Sequence, residues 1–252
     1  MQEGFVKSEI KSGIAYITFF HPQSNSMPGY QLNALALEIE KAGKEENAKV
    51  IVIKSEGDKA FCAGASFDEL ISIKDIETGT KFFSGFAGVI NAIRKAPKFV
   101  IVRVQGKAVG GGVGIACSGD YTFAVGSASV KLSELAVGIG PFVVGPAVER
   151  KIGKSAFCEL TINATEWRSA LWAREKGLYG ELFETIEEMD KGIEALAMKL
   201  AASNPEAMAM LKKIMWEGSE NWDQLLPKRA GMSGKLVLSQ FTINAINKFK
   251  TK

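Results

Sequence analysis

Residues 99–120 read FVIVRVQGKAVGGGVGIACSGD. The apolar, β-branched run 99–104 suits a buried strand and is too short for most helices. Gln105, Gly106 and Lys107 break it. Gly110, Gly111 and Gly112 follow, and then the small apolar residues 113–117. The stretch reads as strand, loop and a helix that begins within the glycines. Such a junction leaves backbone N–H groups unpaired at the helix start, with the positive end of the helix dipole behind them. Glycine has no Cβ, so a ligand can come close to the main chain. Paired N–H donors of this kind suit the stabilisation of a negative oxygen. Tight helix–sheet packing with no ligand accounts for the same glycines, so both readings stay open here.

On the N-terminal side, residues 5–10 and 14–20 flank Lys11, Ser12 and Gly13 and predict a β-hairpin. Residues 21–26 are a polar break ending in Pro28 and Gly29. Leu32, Leu35, Ala36 and Ile39 lie at helical spacing within an amphipathic helix over 30–44, and 50–54 is a short buried strand. The first hundred residues thus run strand, strand, helix, strand, loop, helix, strand, and residues 99–125 repeat the order. Repeated β-β-α units build a stacked spiral of sheets with helices outside. On the C-terminal side, helices are expected over 145–153, 155–163 and 166–176, with Gly177 as a C-cap. Glu149, Arg150 and Lys151 read as a solvated face. From about Asp190 the chain is rich in Ala, Met and Leu, with helices expected over 191–203, 205–216 and 226–249. Met198, Met208, Met210 and Met215 read as core filler. Lys248, Lys250 and Lys252 read as a fraying basic tail.

The balance of 31 basic and 28 acidic side chains, net +3, does not suggest nucleic acid. A hydrophobic share of 46% against 23% charged is that of a globular protein. Cys62, Cys117 and Cys158 are odd in number, widely separated and free of any CxxC, which argues against a disulfide framework or a zinc site. Their apolar surroundings predict three buried thiols. No run of about 18 apolar residues suggests a membrane span. The first thirteen residues carry acids and no apolar core, unlike a signal peptide. A cytoplasmic protein of enzyme size is the expectation.

Two further stretches carry candidate chemistry. In residues 60–65, AFCAGA, Gly64 and Ala65 precede a helix start, a second place where main-chain N–H groups can face a ligand. Glu134 lies in the small, apolar stretch 128–141. A carboxylate there is either paired or poised, with a raised pKa, for proton transfer.

Taken together, these stretches resemble the crotonase (enoyl-CoA hydratase/isomerase) superfamily. AFCAGA at 60–65 is similar to that family's AFCAGAD turn, and residues 106–112 to its G-x-A-x-GGG turn. Ser133 and Glu134 through Gly138 and Ile139 look like the segment with its second catalytic Glu. Asn204, Pro205, Glu206 and Ala207, opening a helix that reaches Lys212, resemble its C-terminal helical region. The resemblance implies an α/β fold: a crotonase-like spiral of β-β-α units over 1–195, holding an acyl-CoA site. A helical C-terminal region over 196–252 would serve oligomerisation and site closure. It also implies that the N–H groups of Ala65 and Gly111 hold the thioester oxygen of an acyl-CoA as an enolate forms, and that Glu134 moves protons. Coenzyme A, as part of the substrate rather than a separate cofactor, would lie along Ser24, Ser26 and Met27 and along Ala63 and Ala65. A homotrimer or a dimer of trimers is implied, with no metal.

This chain departs from the family's pattern at several positions. The hydratases' first Glu corresponds to Gly114. Ser66 stands where the family has Asp after GA, and Phe142 where dienoyl isomerases have an extra Asp. His21, the only histidine, lies away from the position used by the dehalogenases. One acid instead of two points to Δ3,Δ2-enoyl-CoA isomerisation. The alternatives are an enoyl-CoA hydratase, including one for a short branched substrate, and an acyl-CoA-binding protein without turnover.

Overall fold

The computed structural model describes residues 3–250. The chain enters as an antiparallel hairpin of β1 (Phe5–Lys11) and β2 (Ile14–Phe20). Helix α1 (Gly29–Lys44) leads to β3 (Val50–Ser55), which pairs parallel to β2. From there one step repeats: a strand in a large sheet, then a three-residue strand in a small one, then helix. In the first step β3 is followed by β4 (Ala60–Cys62), α2 (Phe67–Ser72) and α3 (Ile76–Lys95). In the second, β5 (Val100–Val104) is followed by β6 (Lys107–Val109) and α4 (Gly111–Ser118). In the third, β7 (Tyr121–Val125) is followed by β8 (Ser129–Lys131), a 3-10 turn (Leu135–Val137) and α5 (Gly145–Ile162). Then come β9 (Arg168–Ser169), α6 (Ala170–Glu175), β10 (Glu181–Phe183) and α7 (Ile186–Ala201). The described chain ends in α8 (Pro205–Met215), α9 (Trp222–Leu236) and α10 (Gln240–Lys250).

The large sheet runs β1-β2-β3-β5-β7-β10, parallel from β2 onward, and the small sheet β4-β6-β8-β9, parallel except for β9. This is the α/β spiral expected from the sequence. β5 is buried along its whole length, and β3 at every position but Lys54. Parallel strands covered on both faces read as continuous Val and Ile runs, which is why 50–54 and 99–104 were legible. α1 packs on β1, β2 and β3, and α7 crosses β2, β3, β5, β7 and β10. Arg103 in β5 grips Asp190 of α7 through two hydrogen bonds, 2.5 and 3.0 Å. The division expected at 195/196 falls inside α7.

Several local expectations are corrected. β4, β6 and β8 are real strands, each too short for a period-two pattern to show. α7 starts at Ile186, ahead of the expected 191, because Thr185 and Glu188 form a capping box. The helix expected from 166 starts at Ala170, since Arg168 and Ser169 pair with β8. The helix expected over 226–249 is broken between α9 and α10. Cys158 is exposed, unlike Cys62 and Cys117. Met208 is buried, but Met198, Met210 and Met215 are exposed. Arg150 stacks on Trp216 at 3.9 Å, and Lys151 donates to Gly119 O at 2.8 Å, so that face is not simply solvated. Lys252 and the side chain of Lys250 lie outside the described residues.

Candidate active site

The site is built where the first two spiral steps turn from the small sheet into helix. After β4, Gly64 takes φ +85°, a backbone conformation that side chains rarely adopt. Ala65 then pairs with Met27 through two flanking bonds: Met27 N–H to Gly64 O (2.8 Å) and Ser66 N–H to Met27 O (3.2 Å). Because parallel pairing engages the neighbours of Ala65, its own N–H points away from Met27 and has no backbone acceptor among the described residues. Ser66 caps α2, its Oγ accepting from Glu69 N–H, so its consequence is local capping.

After β6, Gly110 takes φ 52° and ψ −117° and starts α4. Its N–H is spent on Lys131 O at 2.8 Å, which leaves the Gly111 N–H as the open donor at the first helical position. The two turns touch: a Cβ placed on Gly64 would stand 2.8 Å from Val109 O and 3.5 Å from Gly111 N. Phe86 of α3 closes over Gly111, where a Cβ would fall 2.1 Å from its ring.

Glu134 comes from the third step. Its carbonyl accepts from Val137 and Ile139, which fixes the loop, and Gly138 ends the 3-10 turn at φ 82°. A Cβ on Gly110 would lie 3.0 Å from Glu134 Oε1, so the carboxyl stands beside the α4 turn. Its Oε2 is buried and has no hydrogen-bond partner among the described residues. Burial pushes the carboxyl up from 4.5 to about 7, against a lowering contribution from its own backbone N–H.

Ala63, Gly64, Ala65, Gly110, Gly111 and Glu134 line one cavity, with an empty volume of about 610 Å³ counted out to its mouth. Its walls are apolar: Phe67, Leu70, Phe83, Phe86, Val137, Ile139, Phe142, Val143 and Val144. Glu134 is the only ionisable side chain among the lining residues. Phe67, Phe83, Phe86 and Phe142 line the cavity, and Phe82 does not. Of the expected coenzyme A segment, Ala63 and Ala65 line the cavity, whereas Ser24, Ser26 and Met27 do not. Met27 is fully buried. Ser26 is buried with its Oγ 3.2 Å from His21 Nδ1, and Ser24 is exposed, its carbonyl taking the Ala63 N–H at 3.2 Å.

Two site residues escaped the sequence reading. Val144 fills the space beside Gly114: a Cβ there would meet Val144 Cγ1 at 2.4 Å, so no acid side chain fits without a shift. Ser233 reaches the cavity from α9. The run of small residues Ala230, Gly231, Ser233 and Gly234 was the available signal, since such residues mark close helix approach.

The geometry has counterparts among known proteins. A solved structure of enoyl-CoA hydratase from Bacillus halodurans superposes with a TM-score of 0.88 over 96% of this chain and 99% of its own, at 20% identity, and so shares the fold. A probable enoyl-CoA hydratase of Bacillus subtilis is 28% identical over 204 residues, 81% of this chain and 78% of that protein. Human mitochondrial methylglutaconyl-CoA hydratase is 29% identical over 203 residues, 78% of this chain and 58% of that protein. A sequence profile of the enoyl-CoA hydratase/isomerase family matches residues 9–239, and the chain belongs to that family.

Proposed function

We propose that this protein moves the double bond of a 3-enoyl-CoA to the 2 position. The N–H groups of Ala65 and Gly111 receive the thioester oxygen as it takes up negative charge. Glu134 takes a proton from C2 and, as the bond shifts, returns it to C4, so one carboxyl serves as base and then acid. A base poised near neutral pH suits this work, because both protonation states are accessible in one cycle. Each oxyanion donor in such sites contributes on the order of 3 kcal/mol to the barrier. The pantetheine runs past Ala63 and Ala65, and the remainder of coenzyme A past the exposed Ser24, whose carbonyl takes the Ala63 N–H.

The observation that carries this reading is the solitary Glu134, with Val144 occupying the space next to Gly114. Hydration needs a water held and deprotonated while Cα is protonated, work suited to two acids. The names of the relatives favour hydration as the second reading. Incubation with 3-hexenoyl-CoA, with product identity checked, separates them. Formation of 2-hexenoyl-CoA by the wild type, reduced at least about 10³-fold in Glu134→Gln with binding retained, is the expected result. Faster hydration of crotonyl-CoA than isomerisation of 3-hexenoyl-CoA gives the second reading. Binding without turnover of any enoyl-CoA removes both.

The assembly we propose is a homotrimer, alone or stacked into a hexamer. It is supported by an exposed apolar face on α8, where Met210, Leu211, Ile214 and Met215 are each about half exposed or more.

A further inference from the structure

Ser233 lies in α9, 2% exposed, and is one of the residues that line the cavity. A helical serine hydroxyl has a ready partner in the carbonyl four residues earlier. Ser118 donates to Gly114 O at 2.7 Å and Ser203 to Lys199 O at 2.9 Å. Ser233 makes no such bond, and its hydroxyl has no partner among the described residues. Nor is it sealed in the core like the hydroxyls of Thr161 and Tyr179: it opens on the cavity.

Its position follows from a contact between helices. A Cβ on Gly79 of α3 would stand 2.9 Å from Gly234 Cα, and one on Gly234 would stand 2.6 Å from Thr80 N. The two backbones touch, so the residue next to Gly234 is carried in beside Phe83 and Phe86 of α3. An acyl chain that fills the cavity displaces water from this hydroxyl, and a ligand oxygen placed against it replaces the hydrogen bond so lost. That oxygen must be neutral. The lining residues include no Lys, Arg or His, and the carboxyl of Glu134 would repel a second carboxylate in the same dry space.

We infer that Ser233 is a specificity-determining residue, and that the acyl group taken here is uncharged and carries one hydrogen-bonding oxygen, a hydroxyl or a keto group, beyond the reacting carbons. The inference rests on the acyl-CoA reading of the cavity. Its test uses saturated ligands that cannot react, so it is independent of which reaction occurs. Binding to the wild type, Ser233→Ala and Ser233→Cys is measured by calorimetry. The ligands are hexanoyl-CoA, its 4-, 5- and 6-hydroxy derivatives, and adipoyl-CoA, which ends in a carboxylate. At least one hydroxy derivative should bind the wild type about tenfold more tightly than hexanoyl-CoA, and both variants should lose that preference while keeping hexanoyl-CoA affinity. Adipoyl-CoA should bind more weakly than hexanoyl-CoA in all three proteins. Equal or tighter binding of hexanoyl-CoA than of every hydroxy derivative by the wild type overturns the inference, as does tight adipoyl-CoA binding. A preference that persists without 3-hexenoyl-CoA turnover would sink the isomerase reading and leave Ser233 in place. Turnover without the preference would do the reverse.

Discussion

Glu134 ties chemistry to stability through one proton. Its carboxyl rises from 4.5 to about 7 because burial strips water from it, and this outweighs the lowering by its own backbone N–H. The isomerase rate should therefore climb with pH through an apparent pKa of about 7, as the base form fills, when kcat/KM for 3-hexenoyl-CoA is followed from pH 5 to 9. Stability runs the other way. A raised folded-state pKa stabilises the fold fully below 4.5, and that contribution is lost as pH rises to 7. Glu134→Gln should exceed the wild type by up to about 3 kcal/mol in urea denaturation at pH 8, the gap closing near pH 4.5. Gly114 and Val144 give a second test at this scale. Ala at 114 should add about 1 kcal/mol of helix propensity but overpack against Val144 by about 1–3 kcal/mol. Gly114→Ala is thus expected to destabilise the wild type and to stabilise a Val144→Gly background, where the nearest remaining atom is Val144 Cα at 3.6 Å, read as a sign change in a double-mutant cycle.

Among the elements, α8 is held by charge rather than by its apolar side. Lys212 Nζ, 2% exposed, reaches Asp120 Oδ2 at 2.8 Å and Lys98 O at 2.8 Å. Asp120 also accepts from Val100 N–H at 2.7 Å and from Trp216 Nε1 at 2.8 Å. The cluster clamps the end of α8 to the segments that enter β5 and leave α4. Lys212→Met would strand the Asp120 carboxylate, a loss expected to reach about 3–5 kcal/mol by chemical denaturation. Little change in the denaturation midpoint would mean that water reaches Asp120 in solution. α9 and α10 depend on the core differently. α9 lies on α3 through Gly79 and Gly234, and α10 packs its Phe241 and Thr242 on the Gly138 end of the Glu134 loop. The wall of the cavity is thus closed from the far end of the chain.

For the whole molecule, the apolar face of α8 is the feature that a lone chain leaves unexplained. Isolated exposed apolar residues are common, but Met210, Leu211, Ile214 and Met215 are consecutive on one helix face. The proposed homotrimer predicts a mass of three or six times 27.2 kDa by light scattering on a sizing column. Ile214→Glu should shift it toward the single chain. A wild-type protein running as the single chain would remove the proposal.

What the sequence determined by itself is whatever depends on neighbours along the chain. The Val and Ile runs of β3 and β5 announced buried parallel strands, because both faces of such strands are covered. The glycines at 110–112 announced a helix start with open N–H groups, because no side chain there can shield them. Glu134, isolated in a small, apolar stretch, was legible for the same reason. Tertiary structure alone decided what depends on approach between distant segments. That the Ala65 and Gly111 turns touch, that Val144 fills the space beside Gly114, and that Ser233 opens on the cavity are outcomes of packing across the spiral and its helical tail. Each side chain in those contacts has an unremarkable local pattern, and its role appears only when the stacked sheets and the α3–α9 contact bring the backbones together.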